Sequence, residues 1–133
     1  MGFPVGVYWW ERDEDHAALI LSLTDLDALL DTIARRADPE HPPIASIETA
    51  AGELSIGLGA SVSVLCHVPP DGNPPYHTSL GRATTAESVA FYYGGHYSEF
   101  AGRHAVTVEA ARQTVREYVT TGELPASQSW EET

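Results

Sequence analysis

Six histidines, one cysteine and two aromatic clusters are the residues of this 133-residue chain whose types could do chemistry. His16, His41, His67, His77, His96 and His104 would suit acid–base or metal work. No two stand at the i, i+4 spacing of a helical ligand pair or at a zinc-finger spacing. His67 and His77 flank the loop "PPDGNPP" (Pro69 to Pro75) and could approach one another across a hairpin. A metal there would need another ligand, and Asp71 is the only acid nearby. Solvated loop histidines are the simpler reading, so no metal and no cofactor is expected. Cys66, facing inward with Val64 and Val68, would be a small buried hydrophobe. Strand neighbours point to opposite faces, so Cys66 and His67 make no nucleophilic pair. "GLGAS" (Gly57 to Ser61) resembles a phosphate loop only in its glycines; it lacks the lysine and the following helix. No catalytic residue is assigned.

The aromatic clusters point elsewhere. "YYGGHY" (Tyr92 to Tyr97) is either a contact surface, since tyrosine anchors interfaces, or a strand end with a glycine turn. In "WWERDEDH" only one of Trp9 and Trp10 can face a given core. The other is covered by one of the chain's own helices, or it is an interface anchor rimmed by Glu11, Asp13, Glu14 and Asp15.

The elements that must position these residues follow from periodicity. "FPVGVYWW" (Phe3 to Trp10) reads as a strand, and "AALILSL" (Ala17 to Leu23) as either a second strand or a helix approach, the strand favoured as its hairpin partner. Leu26, Leu29, Leu30, Ile33, Ala34 and Ala37 form one helical stripe, predicting a helix over about 25–37 capped by Thr24 with Asp27. Strands are expected over 44–50, 53–59, 61–68, 76–81 and 88–97. In the third of these, Val62, Val64, Cys66 and Val68 would make the apolar face. A second helix is expected over about 108–121, capped by Thr107, with Ala111, Val115, Tyr118 and Val119 inward; Gly122 fits its left-handed end and Pro125 blocks its return. Successive strands with short turns predict an α+β fold: an antiparallel sheet of about five to seven strands with two main helices, in one domain over 1–133.

Composition narrows the partners. Nineteen acidic residues stand against seven basic ones, all arginine, for a formal charge of −12. Such a surface repels nucleic-acid phosphate and attracts a basic partner, although plain solubility explains it too. No apolar run is long enough for a helical membrane span, and no basic segment followed by an apolar one opens the chain. A soluble cytoplasmic protein is expected.

The tail carries a resemblance. A helix followed by "TGELPASQSW" resembles the closing signature of a bacterial immunity-protein family of polymorphic toxin systems, the one numbered first among the Imm families. The matching residues are Ala110, Ala111, Tyr118, Val119, Thr121, Gly122, Pro125 and Trp130. "GELSIGLGASVSVLCHV" is similar to the family's central hairpin, and "VAFYYGGHYSEFAGRHAVTVEAARQTVREYV" to the segment that follows. Leu124 stands where arginine is common in the family. The resemblance implies a non-enzymatic, stoichiometric inhibitor that binds a cognate toxin, typically a deaminase, and covers its active site or substrate channel. Gly122, Pro125 and Trp130 would then be fold residues, with the Trp130 ring folded back on the sheet or the last helix. The toxin-contacting residues expected are Trp10, Glu11, Asp13, Glu14 and Asp15, with Tyr92, Tyr93, His96 and Tyr97. Two other readings stay open: a regulatory or adaptor module without a toxin partner, and an enzyme using His67, His77 or Cys66.

Overall fold

The computed structural model describes residues 2–11, 14–93 and 96–133. β1 (Val5–Glu11) and β2 (Glu14–Ile20) pair antiparallel from Val5↔Ile20 to Glu11↔Glu14. The expected second strand over 17–23 is thus shifted toward the N-terminus. Glu14 and Asp15 belong to the ladder, and Leu21 and Ser22 leave it because Ser22 is needed as a helix cap.

That cap corrects the expected helix start. α1 (Leu23–Arg36) is capped by Ser22, whose hydroxyl accepts the Asp25 amide at 3.1 Å. Thr24 lies inside the first turn, so Asp27 is released from a capping role and reaches toward the second helix. Leu26, Leu30 and Ile33 are the buried stripe, as the 3.6-residue period requires.

β3 (Ile44–Thr49) and β4 (Gly52–Gly57) follow, joined by a tight turn at Thr49↔Gly52. The expected strand over 61–68 is broken into β5 (Val62–Ser63) and β6 (Leu65–Val68). Val64 leaves the ladder and packs with Ile44 and Phe91, while the Ser63 hydroxyl bonds the Gly57 carbonyl at 2.7 Å. The expected facing of β6 is reversed: Leu65 and His67 are buried, whereas Cys66 and Val68 lie half-buried on the other side. β7 (His77–Ser79) pairs with β6. "SVAFYYGGHY" is not one strand but a hairpin of β8 (Ser88–Tyr93) and β9 (His96–Ala101). A 3-10 turn (Gly102–His104) and β10 (Val106–Thr107), paired with β5, lead to α2 (Val108–Thr121).

α2 matches its sequence signals. The Thr107 hydroxyl accepts the Ala110 amide at 3.0 Å, and Gly122 ends the helix in the left-handed region at φ 74°, its N–H bonded to the Tyr118 carbonyl. The tail then forms β11 (Trp130–Glu132), a strand not expected from the sequence, paired with β7.

The fold is α+β. The main sheet has seven strands in the order β11-β7-β6-β4-β3-β1-β2, every neighbour antiparallel. Both helices cover one face. Leu26, Leu30, Val115, Tyr118 and Val119 meet Val5, Val7, Ile47, Leu54, Ile56 and Leu65 in the main core. Each such side chain, once buried, contributes about 1.5–3 kcal/mol against the entropy of ordering it. The other face is covered only in part, by the β8–β9 hairpin. Phe91 and half-buried Val89, Tyr93 and Phe100 pack there with Ile44 and Val64. No described helix is long and apolar enough to cross a membrane.

Candidate protein-interaction surface

The histidines are distributed into structural settings. His67 and His77 do meet across the β6–β7 pair, as register partners with ring centroids 6.5 Å apart. The His67 Nε2 stands 2.9 Å from the Ala51 carbonyl oxygen. A carbonyl only accepts, so the neutral ring carries its proton on Nε2 and leaves Nδ1 a bare lone pair. That Nδ1 and the Nδ1 of His77 are both buried without a partner. His104 is buried, its Nδ1 2.9 Å from the Ser79 carbonyl and its Nε2 3.3 Å from Glu131. His16 stacks on Trp9, and His41 sits beside Asp38 and Glu40 in an exposed turn. Cys66 lies between Ser55 and Thr78 in register. Burial pushes its thiol up, against a smaller lowering by a Thr78 hydrogen bond, so it stays protonated and unreactive near neutrality.

The partly covered sheet face offers more. Register places Tyr8 opposite Ala17 on one side and Ser46 on the other; Ser46 then faces Ser55, and Ser55 faces Cys66. By alternation, Gly6, Tyr8 and Trp10 of β1, with Asp15, Ala17 and Leu19 of β2, point away from the helices. Val5, Val7 and Trp9 point into the main core side. This resolves the paired tryptophans: Trp9 packs under the helices against His16, while Trp10 is 40% exposed on the open face. Tyr8, at 44%, and Leu19, at 69%, are exposed beside it. Farther along the same face Glu48 and Glu53 are direct cross-strand partners, a like-charge pairing. Burial, then the Glu48 charge, hold the Glu53 carboxyl above its usual range.

The hairpin brings the second aromatic cluster to this face. The Tyr92 amide bonds the Pro42 carbonyl at 2.9 Å, and a bridge pairs Pro43 with Tyr92 just before β3 begins. The Tyr93 hydroxyl reaches over the sheet to Ser55 at 2.5 Å, and burial raises its pKa. Tyr92 packs edge-on against Tyr97 at 5.6 Å and tilts against His41 at 4.8 Å. His96 and Tyr97 are exposed at the hairpin tip, the Tyr97 hydroxyl bonded to Glu99 at 2.7 Å. Both ends of this arrangement converge on the start of β3, since Trp9 is the register partner of Ala45.

The expected contact residues therefore divide. Trp10, Asp15, Tyr92, Tyr93, His96 and Tyr97 belong to the sheet face or its hairpin. Glu11 and Glu14 lie on the helix-facing side, by register with Trp9 and His16, and Glu11 is engaged by Arg36 at 2.6 Å. Asp13 lies outside the described residues. Sequence reading missed Tyr8, Leu19, Glu48 and Glu53. No local signal marked Leu19, because residues 17–21 are all apolar and show no alternation of polar with apolar side chains.

No curated protein matches the chain. A family model does: Immunity protein Imm1, over residues 14–132, from the first residue of β2 to the end of β11. The chain belongs to the Imm1 family of immunity proteins.

Proposed function

We propose that the protein is a cytoplasmic, stoichiometric inhibitor of a cognate polymorphic toxin, that the toxin is a deaminase, and that inhibition works by covering its active site or substrate channel. The single observation that carries this beyond the family is the union of a charge of −12 with an exposed aromatic sheet face. A deaminase acting on nucleic acid needs a basic substrate surface, and an acidic protein competes for it. Trp10 and Tyr97 supply large anchors of the kind that dominate binding energy, with Tyr92, Tyr93 and His96 beside Tyr97 on the hairpin. Asp15, the register partner of Trp10 on the open face, supplies the acidic rim beside the anchor.

The test is a titration of the toxin domain encoded beside this gene with the purified protein, following deamination of a nucleic-acid substrate. Loss of activity at one-to-one stoichiometry is expected. Full activity with excess protein present, and no co-elution on a sizing column, would overturn the proposal and favour an adaptor role.

A further inference from the structure

We infer that the free edge of β2 receives a strand from the toxin, one whose side chains are basic at one end and apolar at the other. The inference rests on the immunity reading above and adds how the partner is held.

β2 ends the sheet order, so its outer side has no neighbour among the described residues. Among the described residues, no backbone hydrogen bond of the turns and loops involves residues 14–20. Its seven residues make it the longer of the two sheet edges; β11, at the other, has three. An edge like this is a template for another chain, and proteins blunt it with proline, charged side chains, a bulge or a covering element. β2 has no proline, its acids Glu14 and Asp15 stand at one end only, and its register with β1 is unbroken from Val5↔Ile20 to Glu11↔Glu14, so it has no bulge. Its open-face residues Ala17 and Leu19 are exposed, and Leu21 just beyond is 66% exposed.

Charge decides the occupant. Two copies of this chain would each bring −12, and their mutual repulsion opposes edge-to-edge pairing. A basic strand meets attraction instead. Main-chain hydrogen bonds would hold it, and side-chain alternation would select it. Beside Glu14 and Asp15 a cationic side chain fits on either face; beside Ala17, Ala18 and Leu19 an apolar one does. The added strand extends the sheet beside Asp15, Ala17 and Leu19, one strand away from Tyr8 and Trp10, so the edge and the aromatic face act as one surface.

Hydrogen exchange tests this on the chain alone and in complex with the neighbouring gene's toxin domain. The outward-pointing amides of residues 14–20, those not bonded to β1, are expected to slow about tenfold or more in the complex. Leu19→Arg, at an exposed position, is expected to weaken toxin binding about tenfold or more while leaving the melting temperature unchanged. A complex that inhibits the toxin with β2 exchange unaltered would overturn strand addition and leave the immunity reading standing. No complex at all would overturn both. Protection of those outward-pointing amides in the isolated chain, with a dimer mass on sedimentation, would overturn the choice of occupant in favour of a second copy.

Discussion

The indole N–H of Trp130 donates to the main-chain carbonyl of Pro125 at 3.0 Å. The same residue opens β11 by pairing with Ser79, and its ring packs against the main core. One side chain thus closes the tail onto itself while its backbone closes the sheet. Trp130→Ala is expected to lower the unfolding free energy by about 3 kcal/mol, through lost packing and a loosened edge strand. Trp130→Phe keeps most of the packing and should cost about 1 kcal/mol for the lost hydrogen bond. Denaturant titration measures both, and an unchanged midpoint for the alanine variant would remove the pinning role.

Asp27 joins the two helices. Both of its carboxylate oxygens lie 3.1 Å from the Arg116 Nε, and Arg112 approaches the same carboxylate at 3.4 Å while bonding Asp31 at 2.9 Å. The Arg112 side chain is largely buried, so removing Asp27 weakens the compensation of a desolvated cation. Asp27→Ala, which leaves the buried Arg112 cation undercompensated, should cost about 2 kcal/mol, and Arg116→Ala, which strands no buried charge, under about 1 kcal/mol. Chemical denaturation at low and high salt checks this. The Arg116 deficit should shrink with salt more than the Asp27 deficit; the reverse ranking would count against the burial argument.

How much could be read in advance depended on whether the deciding contact was local. α2 was legible because Thr107, Gly122 and the stripe from Ala111 to Val119 all lie within one helix. α1 was legible except for its start, where Ser22 and Thr24 are both good caps and tertiary structure chose the first. The break at Val64 was not legible, because "SVSVLCHV" alternates without fault and only packing with Phe91 and Ile44 pulls Val64 out. The same distance effect reversed the facing of Cys66. The expected contact patch joined two stretches far apart in sequence. Their meeting near the start of β3 depends on the Pro43–Tyr92 bridge, which no local pattern announces.

His67 gives the fold an acid-sensitive point. Burial holds its pKa below the ordinary 6.5; the Ala51 carbonyl opposes this, and His77 adds to it. The folded value is the lower one, so between it and 6.5 the unfolded chain binds more protons and stability falls as pH falls. Above 6.5 both states are neutral and the group contributes no slope. Melting temperatures from pH 8 to pH 5 should show this loss in the native protein and a shallower one in His67→Gln, which keeps a side-chain donor for Ala51. Parallel curves would place the acid sensitivity elsewhere.

Trp10 separates binding from folding. Its ring stands on the open face and Trp9 serves the main core, so the two neighbours should respond differently to truncation. Trp9→Ala removes core packing and is expected to cost about 2–3 kcal/mol of stability. Trp10→Ala should change stability by less than about 1 kcal/mol, yet weaken toxin binding by 2 kcal/mol or more, roughly thirtyfold, as for a central aromatic anchor. Calorimetric binding alongside thermal melts measures both quantities on each variant. A Trp10→Ala protein that melts early and binds normally would make this tryptophan a fold residue. The anchor would then have to be sought at Tyr97, whose exposed position on the hairpin leaves it free to make the contact.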